Sequence, residues 1–237
     1  TNLPYDLILV DEAQDISDVM IGIVENQSCR RIYVGDSFQQ IYTFRFATNA
    51  LNKIDLPSYD LTQSFRFGDN YAKVLQNNLN SLYEINSSKP LKISGLEKTT
   101  LIGKNHIDFS KQFCVIARST FGLIQQLVYF IHDKKKVYFE GGYNSYSFMN
   151  QTVYSIFYLK QKKNDKITID EIKDFDTINE LEQFAKDTKN QDYLNIIKFI
   201  NTYGDNIFEI NKKIKEFLVT DKKDADIIFT TPHKSKG

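Results

Sequence analysis

The chain has 237 residues, 41% hydrophobic and 25% charged, which suits one large or two small soluble domains with a sizeable core. Its 30 basic and 30 acidic side chains cancel. This excludes nucleic-acid binding through an overall basic field; any such interface has to be a local groove. No apolar run approaches the roughly 20 residues of a membrane span, and no signal-peptide core opens the chain. Two distant cysteines, Cys29 and Cys114, make neither a disulfide framework nor a zinc motif, so a reduced, intracellular protein is expected. Both ends fall close to strands, as expected for a piece of a larger protein.

Leu7 to Val10 is a short unbroken apolar run, which predicts a strand buried on both faces of a parallel sheet. It stops on Asp11 and Glu12. Two carboxylates beside a buried strand belong at its exposed carboxyl end, where open α/β sheets bind ligands. One acid can hold magnesium through its waters, and the next can orient or deprotonate an attacking water. The plainer role for Asp11 is to cap a helix starting near Ala13. Ile16, Val19, Met20, Ile23 and Val24 recur at helical spacing to about Glu25. Arg31 to Val34 is a second short strand ending on Gly35 and Asp36. A βαβ unit of this kind sets the two carboxyl edges side by side.

In the segment from Ser37 to Ala47, Tyr42 and Phe44 are spaced by two with Arg45 adjacent. On an extended loop the two rings share a side and suit stacking on unpaired bases; the alternative is a pair of core aromatics. Gln39 is an uncharged donor near the acids, able to sense a phosphate or hold a water. Arg66, between Phe65 and Phe67, is a candidate arginine finger. Tyr71 to Tyr83 reads as a helix and Pro90 to Ser94 as an edge strand. A domain boundary is expected between Ala47 and Tyr59, where Pro57 and Ser58 interrupt the pattern.

Phe113 to Ala117 predicts another strand, followed by Arg118, an N-cap at Ser119 or Thr120, and a helix through Ile131. Val137 to Phe139 is a short strand closed by Gly141 and Gly142. From about Tyr154 to Leu218 the pattern is helical, with Thr177 and Glu180 as a capping box. Ala225 to Thr230 returns to strand and leads into Thr231-Pro232-His233-Lys234-Ser235-Lys236-Gly237.

Four segments in one order resemble motifs II, III, IV and V of superfamily-1 helicases of the UvrD/Rep type. They are Asp-Glu-Ala-Gln-Asp (11–15), Gly-Asp-x-x-Gln-x-Ile-Tyr-x-Phe-Arg (35–45), Ser-Phe-Arg (64–66) and Thr-x-His-x-x-Lys-Gly (231–237). Leu-Thr-Gln-Ser-Phe-Arg-Phe-Gly (61–68) and Tyr-Phe-Glu-Gly-Gly (138–142) are similar to the F-box DNA helicase branch. The resemblance implies an α/β fold with parts of two RecA-like parallel-sheet domains. Residues 1–56 would belong to the first, 57–150 and 223–237 to the second, and 151–222 would be a helical insertion corresponding to a reduced 2B domain. It implies ATP and magnesium as ligands, single-stranded or duplex DNA as partner, and movement 3′ to 5′ along one strand.

By the same resemblance Asp11 would hold magnesium, Glu12 would be the general base and Gln39 would sense the γ-phosphate. Arg66 would stabilise transition-state charge and Phe65 would stack on adenine. Tyr42, Phe44, Thr231 and His233 would contact DNA, and Arg45 would lie between the nucleotide and DNA surfaces. Phe46 departs from the usual glycine. No Gly-x-x-x-x-Gly-Lys-Thr phosphate loop and no closing arginine motif occur in these residues. The isolated segment is therefore expected to hydrolyse little ATP. Competing readings are a nuclease using Asp11, Glu12 and Asp15 as paired-metal ligands, another P-loop ATPase sharing the Asp-Glu strand, and a non-catalytic module that binds single strands or a partner protein.

Overall fold

The structure, a computed structural model, describes residues 4–41, 48–83, 90–130, 133–146 and 148–236. Tyr42, Phe44, Arg45 and Phe46 lie outside these. The chain divides into two compact units, Thr1–His106 and Ile107–Gly237.

In the first unit β1 (Leu7–Val10) pairs in parallel with β2 (Arg30–Tyr33), with Leu9 opposite Ile32 and Val10 opposite Tyr33. Ile8 and Val10 are half-buried, but Leu7 and Leu9 are 42% and 67% exposed. The expectation of a strand buried on both faces is thus corrected: this is a two-stranded sheet covered on one face, so its side chains alternate. The helix also starts later than expected. A 3₁₀ turn occupies Ala13–Asp15, and α1 (Asp18–Glu25) begins after Ser17, whose Oγ accepts the Met20 N–H at 3.4 Å. Of the helical apolar set only Val24 is fully buried, while Val19, Met20 and Ile23 are exposed.

The same unit holds a second parallel pair, β3 (Gln63–Gly68) and β4 (Ser94–Leu96), joined by α2 (Asp69–Tyr83). The close approach of these strands requires small residues: a Cβ on Gly95 would lie 2.3 Å from the Gly68 carbonyl carbon.

In the second unit β5 (Phe113–Ile116), β6 (Val137–Phe139) and β7 (Ile227–Thr230) form a parallel sheet in the order β5-β7-β6. The last strand in sequence is the central one, and all four of its residues are buried. Between β5 and β6 runs α3 (Thr120–Phe130), whose N-cap is Ser119: its Oγ accepts the Gly122 N–H at 3.1 Å. Between β6 and β7 lie α4 (Gln151–Lys160), α5 (Asp170–Lys173), α6 (Ile178–Asp187), α7 (Gln191–Tyr203) and α8 (Asn206–Phe217). These helices share one hydrophobic core with the sheet, in which Phe139 and Phe229 stack at 5.3 Å among Leu123, Ile156, Ile200 and Ile207. The capping box at α6 is offset: Thr177 Oγ1 accepts the Glu180 N–H, but Glu180 reaches back to the N–H of Asp176. A short α9 (Pro232–Ser235) follows β7.

Cys29 and Cys114 are free. Among the described residues no helix is long and apolar enough to cross a membrane.

Candidate functional site

The carboxyl end of β1 holds the first cluster. Asp11 and Glu12 are both exposed, and the Glu12 N–H donates to Asp11 Oδ1 at 2.9 Å. Glu12 has φ 51° and ψ 41°, a left-handed conformation uncommon for a residue with a Cβ. It sits between two restraints. Its carbonyl accepts the Asp15 N–H at 2.9 Å, and its carboxylate accepts a hydrogen bond from Gln14 Nε2. A strained backbone held in place this way is characteristic of functional sites.

Gln14 is fully buried and extends the cluster to β2. Its Oε1 accepts the Asp36 N–H at 2.9 Å, while the Ala13 N–H donates to the Val34 carbonyl at 2.9 Å. Asp36 in turn accepts from the Phe38 N–H at 2.9 Å through Oδ1 and from Gln39 Nε2 at 2.8 Å through Oδ2. Glu12 and Gln39 are thus the two ends of one hydrogen-bonded chain, Glu12–Gln14–Asp36–Gln39. Sequence reasoning singled out the ends and missed Gln14; the available signal was an amide set between acids in an otherwise ionic run. The close fit extends to Gly35, where a Cβ would lie 2.3 Å from Gln14 Oε1 and 3.0 Å from the Ala13 nitrogen.

Asp11 is exposed at the strand end, and a single exposed carboxylate fits magnesium bound through one carboxylate and waters. Among the described residues no three acidic, histidine or cysteine side chains gather to hold a metal directly. Arg66 and Phe65 lie on β3, in a separate sheet; Arg66 is exposed and Phe65 is 73% exposed.

The second cluster is at the carboxyl edge of the second unit's sheet. Arg118 follows β5, Gly141 and Gly142 follow β6 with φ 76° and 85°, and Thr231 follows β7. Arg118, Thr231 and His233 line a groove of about 610 Å³. Lys234 Nζ donates to Ser145 Oγ at 2.6 Å and lies 4.6 Å from the centre of the Tyr146 ring. Thr231 is 92% buried, and its side chain does not cap α9. Sequence reasoning pointed to Thr231 and His233 but assigned Arg118 no role.

Residues 2–55 match the UvrD/REP helicase N-terminal domain, and that match contains the whole Glu12–Gln14–Asp36–Gln39 chain. The chain is of the UvrD/Rep helicase type. It is 30% identical to the F-box DNA helicase 1 of Gallus gallus over 251 aligned positions, covering 98% of this chain and 23% of that protein. It is 47% identical to the F-box DNA helicase protein 1 of Schizosaccharomyces pombe over 74, covering 29% of this chain and 8% of that one. This UvrD/Rep-type segment thus spans less than a quarter of either relative. No solved structure matches it significantly.

Proposed function

We propose that the protein containing this segment is an ATP-dependent DNA helicase or translocase that moves 3′ to 5′ along one strand. By motif order, residues 1–56 belong to its first RecA-like domain, residues 57–150 and 223–237 to its second, and residues 151–222 to a helical insertion. The observation that carries the reading is the hydrogen-bonded chain from Glu12 to Gln39, which couples a candidate base to a candidate phosphate sensor across two strand ends.

In this reading Glu12 accepts the proton of a water attacking the γ-phosphorus of ATP, and the bond to the ADP oxygen breaks. Magnesium, held by Asp11 through its waters, would neutralise phosphate charge. Gln39 contacts the γ-phosphate, and its loss is felt through Asp36 and Gln14 at β1. Arg66 supplies positive charge to the transferred phosphoryl group, and Phe65 offers its exposed ring to adenine. By motif resemblance Tyr42, Phe44, Thr231 and His233 contact DNA, and Arg45 acts between nucleotide and DNA. Without a phosphate-binding glycine loop, the 237 residues alone turn over little ATP.

Steady-state ATP hydrolysis by the longer protein, with and without single-stranded DNA, tests this. Glu12→Gln should abolish turnover while leaving nucleotide binding intact; undiminished turnover in that variant overturns the assignment.

A further inference from the structure

Gln14 has a second branch, and the proposed function leaves it unused. Its Nε2, which donates to the Glu12 carboxylate, also donates to Asp15 Oδ2 at 3.4 Å, and Asp15 Oδ1 accepts the Ile41 N–H at 3.3 Å. Asp15 is half-buried and closes the 3₁₀ turn. Its own N–H donates to the Glu12 carbonyl at 2.9 Å, which helps to hold Glu12 in its left-handed conformation. Beyond residues 42–47 the Thr48 N–H donates to the Ile16 carbonyl at 2.8 Å. Both ends of that segment are therefore tied to neighbouring residues, Asp15 and Ile16, directly after Gln14. The Thr48 tie is made by backbone alone, whereas the Ile41 tie depends on the Asp15 side chain.

The Gln14 amide has only one workable orientation. The Asp36 N–H can only donate, so Gln14 Oε1 faces Asp36 and the amide nitrogen faces the two carboxylates. Turning the amide over would set N–H against N–H at Asp36 and oxygen against carboxylate at Glu12 and Asp15. Gln14 is fully buried, so solvent cannot relieve that clash. One amide nitrogen thus serves Glu12 and Asp15 together. A displaced Asp15 leaves it with an unmet N–H beside Glu12.

We propose that Asp15 is a positioning residue that couples strand binding at residues 42–47 to Glu12. The inference rests on the reading that Glu12 activates water and that Tyr42 and Phe44 meet DNA. A strand held there sets the Ile41 N–H against Asp15 Oδ1. Asp15 Oδ2 then seats the Gln14 amide, and the amide holds the Glu12 carboxylate toward the attacking water. Neither Asp15 nor Gln14 reads a nucleobase edge, so the coupling acts alike on a strand of any sequence.

Steady-state ATP hydrolysis by the longer protein, at saturating ATP and titrated with single-stranded DNA, tests this. Asp15→Ala should lower the maximal stimulation, the ratio of turnover at saturating DNA to turnover without it, by about fivefold or more. The DNA concentration giving half the effect should change less than about twofold, because the coupling acts on catalysis rather than on DNA affinity. Asp15→Asn keeps the shape of the side chain and can still accept the Ile41 N–H, but it then turns an amide toward Gln14 Nε2. It should lose stimulation too, whereas a residue that merely anchored Ile41 would be rescued by asparagine. Circular dichroism checks folding, and the Asn variant carries the test if the Ala variant unfolds. Glu12→Gln should be inactive with or without DNA. If it is inactive but Asp15→Asn is stimulated like the unaltered protein, or only the half-saturating DNA concentration shifts, the coupling is overturned and Glu12 stands as the base. If DNA does not stimulate the unaltered protein, the coupling is likewise overturned. If Glu12→Gln keeps its turnover, both readings fall.

Discussion

Gln14 and Asp36, twenty-two residues apart, are joined by a 2.9 Å hydrogen bond from the Asp36 N–H to the Gln14 side-chain oxygen. This bond fixes the turn after β1 against the turn after β2, and it is made by a side chain with no exposure to solvent. It makes the geometry of Glu12 and Gln39 one property rather than two.

Gln14→Ala should therefore cost about 1–3 kcal/mol, the usual penalty for leaving a buried polar partner unmet. The loss should appear as a lower denaturation midpoint, with faster amide exchange at Asp36 than at β2.

Gly35→Ala should act through the same contact from the opposite side. Its new Cβ would displace Gln14 Oε1 and press on the Ala13 nitrogen. The double variant Gly35→Ala, Gln14→Ala should lose less than the sum of the single losses, which a double-mutant cycle of denaturation midpoints measures.

Ser155 is fully buried on α4, and its Oγ accepts the N–H groups of Thr168 and Ile169 at 3.2 and 3.3 Å. It tethers the segment that leads into α5. Ser155→Ala should destabilise the second unit by about 1–3 kcal/mol, read from chemical denaturation. The first unit should be unaffected.

Alkaline pH should unfold the second unit. Burial, together with the neighbouring Tyr154, pushes the Tyr143 hydroxyl up to about 12 from the ordinary 10.0. Burial, followed by its hydrogen bond to Glu171, does the same for Tyr193. A pKa raised by folding contributes stability that is full below pH 10 and lost as pH climbs toward 12. Tyrosinate absorbance should rise together with loss of helical circular dichroism across that window, and Tyr143→Phe should reduce the pH dependence.

Phe65→Ala should separate function from stability. Its ring is 73% exposed, so removing it should move the denaturation midpoint by less than about 0.5 kcal/mol. In the longer protein it should nonetheless weaken ATP binding, measured as a higher KM for ATP hydrolysis.

Much of this arrangement was legible in the chain. Strand β6, the Ser119 cap and the adjacency of the β1 and β2 ends follow from apolar runs and their polar stops. The covering of a strand does not. Leu7–Val10 and Ile227–Thr230 are both four-residue strands dominated by apolar side chains, yet the second is buried throughout and the first alternates. Burial depends on what lies against each face, and a run of apolar letters carries no record of that. Strand β3 was missed because the alternation of Phe65 and Phe67 with Ser64 and Arg66 is too short to establish a period. Gln14 was missed for a chemical reason: its role depends on an N–H twenty-two residues away.

The position of β7 has a consequence for how the molecule is made. Strands β5 and β6 have no direct pairing and meet only through the strand that is synthesised last of the three; the Lys136 N–H and the Asp226 carboxylate, ninety residues apart, bond at that seam. The sheet cannot close until synthesis has passed Thr230, and such long-range closure is slow. Until then both neighbours offer open edges and an unfilled slot to other chains, which makes the nascent protein a natural client for chaperones.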